Sequence, residues 1–364
     1  ELCVGCTRCI RVCPTEAIRI RQGKAKAMHH RCVYCGECLR HCPWEAWTVE
    51  AGWEETNLGE ERPDCLLDPA VFGQFGSRDP GEVRQAFCAT GFLRAWDMGE
   101  ALALYCRTAR RWLSSGKVST PVISSDCPAV VHLVRVKFPS LLENLLPVVP
   151  PHEIAARKMR KDPETSSPGG IWYVVPCLAK AQAANDPLTP EGSFRKAVPL
   201  SHLFNSLQAR LFRKEGEAPG GENPSILAVE WAIPGVQSRA LGIAPTLTVD
   251  GIHRVAEVLE LAENGLLEKV PFIEAWGCTG GCLGGPLNAR NPFWARFQVS
   301  RWVRGKNPGA ENGSGMVPEE EESAAYLLDR PFSPRAGMRL DENLGAAMEK
   351  LRRIDEVVKR FPGI

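Results

Sequence analysis

CVGCTRCIRVCP at residues 3–14 and CVYCGECLRHCP at residues 32–43 decide the reading of this chain. Cys3, Cys6, Cys9 and Cys13 recur 29 residues on as Cys32, Cys35, Cys38 and Cys42, and Pro14 and Pro43 follow the last cysteine of each set. Four thiolates must converge on each cube of iron and sulfide. A tight C-x2-C-x2-C loop supplies three of them, and in two-cluster modules the fourth comes from the partner motif. The spacing therefore assigns Cys3, Cys6, Cys9 and Cys42 to one 4Fe-4S cluster, and Cys32, Cys35, Cys38 and Cys13 to a second. Zinc would need four ligands in pairs, not this three-plus-one duplication. Ala17–Arg21 and Lys24–Met28 flank Gln22-Gly23 as a hairpin, so residues 1–50 read as a small two-fold symmetric α+β module.

The rest of the composition narrows the class. A formal net charge of +1 over 364 residues gives no global attraction to nucleic acid or acidic membranes. Fifteen cysteines in a chain this long are not a secreted disulfide scaffold. Most of them stand at metal-ligand spacings, which implies thiols kept reduced in a cytoplasmic, oxygen-poor setting. No secretory leader is visible, and apolar runs such as Ser225 to Val236 are too short and interrupted for membrane insertion. The module itself is basic, with Arg8, Arg11, Arg19, Arg21, Lys24, Lys26, Arg31 and Arg40 outnumbering its acids. That charge is either a solvated face or a surface that steers an acidic redox partner.

Polar residues 51–65 read as a linker, and a body follows over 66–340. In it Pro121–Ser124, Ile171–Val175, Ile226–Trp231 and Val270–Ile273 read as buried strands, and Ile252–Ala262 as a helix closed by Asn264-Gly265. Alternation of strand and helix predicts α/β layers with parallel strands. Arg213–Pro224 and Gly305–Ser323 read as exposed loops. Residues 341–364 predict a C-terminal helix with Asp341 as N-cap and Leu344, Met348, Leu351 and Val358 on one face. The chain starts without methionine and stops just after that helix, so both ends read as cut, the second leading into a missing segment.

Four body cysteines stand in Gly/Pro contexts after predicted strands: SSDCP at 124–128, VPCLAK at 175–180, and GCTGGCLGGP at 277–286. Loops at strand C-termini are where α/β folds hold ligands, and Cys127, Cys177, Cys278 and Cys282 could hold one more cubane. Cys65, Cys88 and Cys106 lack partners at ligand spacing and read as ordinary buried or linker thiols. His132 reads as a helix-face residue and not a ligand.

These three loops, in order, resemble the TSCCP, MPCxxK and MACPGGC-type signatures of the FeFe-hydrogenase catalytic domain. Gly91-Phe92 through Asp97, Pro139–Pro151 and Phe272-Ile273-Glu274 fit the same pattern. The resemblance implies an iron-only hydrogenase domain with parallel-strand α/β lobes behind a bacterial ferredoxin-like module. It implies that Cys127, Cys177, Cys278 and Cys282 bind the cubane of an H-cluster, with Cys282 bridging to a di-iron subsite that carries CO, cyanide and a dithiolate amine. Lys180 would donate to a cyanide. Hydrogen and protons would be the substrates, and ferredoxin or another redox subunit the electron partner.

The departures are as specific. The first cysteine of TSCCP is Asp126, which either relays protons or hydrogen-bonds locally; the flanking methionines are Val175 and Trp276; and the proline of the last loop is Thr279. The helix that carries proton-path glutamates in catalytic members reads Leu104 to Arg111, and the path serine aligns with Leu146. This pattern resembles the divergent, sensory branch of the family, in which further iron–sulfur or signalling segments follow. It implies slow turnover, or a scaffold or electron-transfer subunit without the di-iron subsite.

Overall fold

A computed structural model describes residues 2–49, 58–115, 119–162, 167–213, 223–306, 323–328 and 332–335, with isolated positions between 348 and 356. Most of the predicted helix over 341–364 and of the two predicted loops lies outside these residues. In the N-terminal module, β1 (Ile18–Arg21) and β2 (Lys24–Ala27) form the expected antiparallel hairpin around Gln22-Gly23. Short helices Arg8–Arg11 and Glu37–Arg40 carry the third cysteine of each motif.

The body holds two parallel sheets. β3 (Asp64–Leu67), β4 (Arg94–Trp96), β6 (Ile171–Val175) and β7 (Lys196–Pro199) lie in the order β4-β3-β6-β7. β5 (Val122–Ile123), β8 (Thr246–Asp250) and β9 (Phe272–Trp276) lie in the order β5-β9-β8. β3, β6 and β9 are buried along their whole length, as expected for parallel strands covered on both faces. Parallel register aligns the strand C-termini. Leu67 pairs with Val174, so Asp68 lies beside the chain that enters Cys177. Ile123 pairs with Ile273, so the loops of Cys127 and Cys278 leave side by side. Two hydrophobic cores follow, one around each sheet; Cys282 belongs to the first, Cys127 and Cys177 to the second. The three ligand loops meet at the seam between them.

One predicted strand is a helix. Residues Ile226–Glu230 are helical, because Ser225 caps the turn with its Oγ accepting from Ala228 N at 3.2 Å, and Ala228 and Val229 bury on one face. A short apolar run does not by its period distinguish a buried strand from a buried helical turn. The predicted strand at 121–124 is confined to Val122–Ile123, and that at 270–273 is displaced to Phe272–Trp276. The helix Ile252–Glu263 ends at Asn264 as expected.

His152, on the helix Pro151–Lys161, is buried with neither ring nitrogen hydrogen-bonded. Its ring stacks on Tyr173 at 5.5 Å and 9°. Burial, with the Lys180 charge adding to it, pushes its pKa down to about 3. Between pH 6.5 and 3 the unfolded chain therefore binds a proton that the folded chain refuses, and stability falls as pH falls. His152→Phe keeps the stack and should remove about 1.4 kcal/mol of that loss per pH unit. Chemical unfolding midpoints between pH 7.5 and 5.5 check this.

Candidate functional site

The cysteines assigned by spacing come together in the sets the spacing predicts. Cys3, Cys6, Cys9 and Cys42 line one cavity of about 90 Å³, closed by Ile20, Ala25, Trp44 and Trp47. Backbone amides point at the sulfurs: Ala25 N donates to Cys3 Sγ at 3.3 Å and Ala46 N to Cys42 Sγ at 3.3 Å. The Ala25 amide is the chief reason the Cys3 thiol lies below its ordinary pKa. Cys6 is exposed, so this set faces outward.

Cys13 crosses to the other set. Its charge adds to the upward push that burial gives Cys32, Cys35 and Cys38, the last reaching about 12. Ala17 N donates to Cys13 Sγ at 3.1 Å and Tyr34 N to Cys32 Sγ at 3.4 Å. Buried neutral thiols are what a cationic cluster converts to thiolate ligands. Among the described residues, no three Cys, His, Asp or Glu side chains converge closely enough to hold a single metal ion.

In the body, Cys127 and Cys177 are the N-cap residues of the helices Pro128–Lys137 and Leu178–Asn185. Gly277 N donates to Cys127 Sγ at 3.4 Å, and Lys180 N to Cys177 Sγ at 3.5 Å. Cys278 follows β9 directly, and Cys282 lies in the 3-10 turn Gly281–Gly284. Burial raises all four thiols, Cys177 to about 12, and the charge of Cys177 acts on both Cys278 and Cys282. The last loop packs backbone to backbone on the second: a Cβ at Gly285 would lie 2.2 Å from the Pro176 carbonyl oxygen.

The module docks on this loop through its second cysteine set. Arg40 Nη2 donates to the Gly284 carbonyl, and His253 Nε2 meets the Val12 carbonyl at 3.2 Å. Gly36, at φ 78°, leaves room for Pro286, whose Cγ would be 2.6 Å from an added Cβ. Cys35 acts electrostatically on Cys278. The order from outside inward is thus the Cys3 set, the Cys32 set, the body set.

Two of the predicted catalytic side chains are held by partners that the sequence did not expose. Lys180, buried, donates from Nζ to Asp68 Oδ2 at 2.6 Å. Tyr173 OH donates to the same oxygen at 2.7 Å, and Ala70 N to Asp68 Oδ1 at 3.0 Å. Burial works against the ammonium, yet Asp68 and the other acidic groups around it hold Lys180 well above its ordinary pKa. Asp68 was legible as a cap before Pro69, but not as a site residue. Asp126, also buried, accepts from Trp231 Nε1 at 2.8 Å, and burial raises its pKa against the opposing pull of Lys180.

The remodelled wall is otherwise close to what the departures imply. The helix Gly99–Leu113 buries Leu104, Tyr105, Cys106 and Thr108, and Leu146 is buried beside the loop of Asp126. Trp276 is fixed by its Nε1 donating to Glu274 Oε1 at 2.8 Å, while Glu274 Oε2 accepts from Ser238 N and Oγ. Thr279 Oγ1 accepts from Arg254, and Val175 is buried. Cys65 lies in β3, Cys88 in the helix Pro80–Ala89 and Cys106 in the helix Gly99–Leu113, and His132 meets Arg335 on a helix face.

Comparison with known proteins agrees with this architecture. Residues 65–196 match the family described as iron only hydrogenase large subunit, C-terminal domain, and residues 2–46 match the 4Fe-4S dicluster domain. A variant of FeFe-hydrogenase HydA1 from Chlamydomonas reinhardtii superposes with a TM-score of 0.54 at 14% identity, over 79% of this chain and 97% of that one. A HydA(deltaEFG) structure, from work on stepwise FeFe-hydrogenase H-cluster assembly, gives 0.52 at 14% identity, over 79% and 98%. At that identity the likeness establishes the fold. No curated protein sequence matches the chain.

Gly36→Ala should weaken the docking of module on body, since a left-handed backbone costs an L-residue about 1–2 kcal/mol and the added methyl overlaps Pro286. The expected result is a lower temperature of cluster bleaching, followed in the visible absorbance, with the Cys3 set unaffected.

Proposed function

We propose that this chain, an iron-only hydrogenase-like protein with a 4Fe-4S ferredoxin module, is a slow, sensory oxidoreductase that splits or forms hydrogen and exchanges the electrons with an external partner. The observation that carries the reading is the line of thiol sets, which runs from an outward-facing module through the docked Cys32 loop to the body cysteines, Cys127, Cys177 and Cys282 buried and Cys278 half-buried.

The thiol sets fit the cubanes this implies. Cys3, Cys6, Cys9 and Cys42 would hold the outer cubane, Cys32, Cys35, Cys38 and Cys13 the inner one, and Cys127, Cys177, Cys278 and Cys282 that of the body, with Cys282 bridging to a di-iron subsite. When bound, these groups supply one-electron storage and heterolytic chemistry on hydrogen. The chain supplies the rest. Its buried loops exclude water, Arg40 fixes the module on the last loop, and Asp126 moves a proton at its Oδ atoms, oriented by Trp231. Turnover is slow because the stretch of the helix Gly99–Leu113 that fills the wall, Leu104 to Thr108, carries no carboxylate to pass a proton on from Asp126. The basic residues of the module suit an acidic redox partner such as ferredoxin. Among the described residues no helix is long and apolar enough to cross a membrane, which accords with a cytoplasmic setting.

The pairing of Lys180 with Asp68 favours a second reading, in which the body holds the cubane alone and the chain is an electron-transfer protein or scaffold. Infrared spectroscopy on protein matured with the di-iron subsite separates the two. Hydrogen-sensitive CO and cyanide bands are expected; their absence contradicts the hydrogenase reading. Asp126→Ala should slow hydrogen evolution further, and an unchanged rate would remove Asp126 from the proton route.

A further inference from the structure

Among the described residues Asp68 is the one acid in direct contact with Lys180, and it answers no need of the thiol sets. Its carboxylate is fully buried, and each oxygen is engaged: Oδ2 by the Lys180 ammonium and the Tyr173 hydroxyl, Oδ1 by the Ala70 amide. Asp126 lies on the same pocket, and the charges of Asp68, Asp126 and Lys180 all act on Cys282. The floor around Cys282 therefore already carries an ammonium paired with a carboxylate, and the acidic side chain of Asp126 beside them.

We propose that Asp68 is a specificity-determining residue of this pocket, which completes the charge of Lys180 internally and so disfavours an anionic ligand beside Cys282. The inference rests on the reading that this pocket faces the di-iron subsite. A buried ammonium needs a counter-charge. Where no protein acid supplies one, an anionic metal complex with cyanide ligands takes that place and gains the full attraction. Here Asp68 holds the place in advance, at 2.6 Å, and a second anion meets a pocket that is already neutralised at the lysine and acidic at Asp126. Geometry keeps the pair in place: β3 and β6 are in parallel register, so Asp68 and the Cys177 helix bearing Lys180 are fixed by two buried strands.

The test uses the full chain with its cubanes in place and a synthetic anionic di-iron dithiolate carrying carbonyl and cyanide ligands. Bound complex is read from the CO and cyanide bands after gel filtration, and unfolding temperature is read with and without it. Asp68→Asn keeps the volume and an acceptor for the Ala70 amide but drops the charge. It should retain the complex about tenfold more tightly than the parent chain, and its unfolding temperature, lower without the complex, should rise more on loading. Equal or weaker retention with unchanged cubane content, including no retention by either protein, overturns the inference. Bands in the parent chain equal to those in Asp68→Asn would thus sink the role of Asp68 and leave the hydrogenase reading standing; bands in Asp68→Asn alone would do the reverse. If Asp68→Asn does not fold, Asp68→Ser, uncharged and smaller with an acceptor for the Ala70 amide, should likewise retain the complex more tightly than the parent chain, and retention equal to or below the parent's overturns the inference.

Discussion

Everything in this molecule depends on bringing thiols from three separate loops into one buried volume without a metal-independent reason for them to be there. Two parallel sheets do it. Because parallel register lines up strand ends, the loops after β5, β6 and β9 open toward the same seam between the two cores. The price is a set of buried thiols whose pKa values burial drives upward. An iron–sulfur cluster would relieve that strain by supplying positive charge where water has been excluded. The same constraint explains the close approach of the last loop to the Pro176 carbonyl, which only glycine at 285 allows.

The module repeats this logic at smaller scale and adds direction. Its outer set faces solvent beside two tryptophans, and its inner set is pressed on the loop of Cys278 by Arg40 and by the absence of a side chain at Gly36. The contact between module and body is built from a backbone carbonyl, a glycine and a proline, the close approach an electron route would need. The proton side is built differently. Asp126 is held by an indole, Lys180 by Asp68, and Trp276 by Glu274, so these three polar groups around the body thiols all have protein partners.

Much of this was legible in the sequence, for physical reasons that differ from place to place. The eight module cysteines were readable because a cubane dictates spacing and the duplication dictates the crossover of Cys13 and Cys42. Cys127, Cys177, Cys278 and Cys282 were readable from the Gly/Pro loops that follow apolar runs. Ile226–Trp231 reads as a strand but is helical over Ile226–Glu230, since so short an apolar run has no period long enough to separate strand from helix; only the Ser225 cap tells them apart. Asp68 was missed for a different reason. Its partner lies 112 residues away, and nothing local to Leu67-Asp68-Pro69 reports that β3 and β6 are neighbours in register. Trp231 as the partner of Asp126 was hidden in the same way.

The most direct test of the account is a redox titration of the reconstituted chain followed by electron paramagnetic resonance. The account predicts one reducible cubane for each thiol set, with the signal of the body cluster broadened by its neighbour at Cys35. A chain that shows reducible cubanes only in the module, while Cys127, Cys177, Cys278 and Cys282 remain open to alkylation, would contradict it.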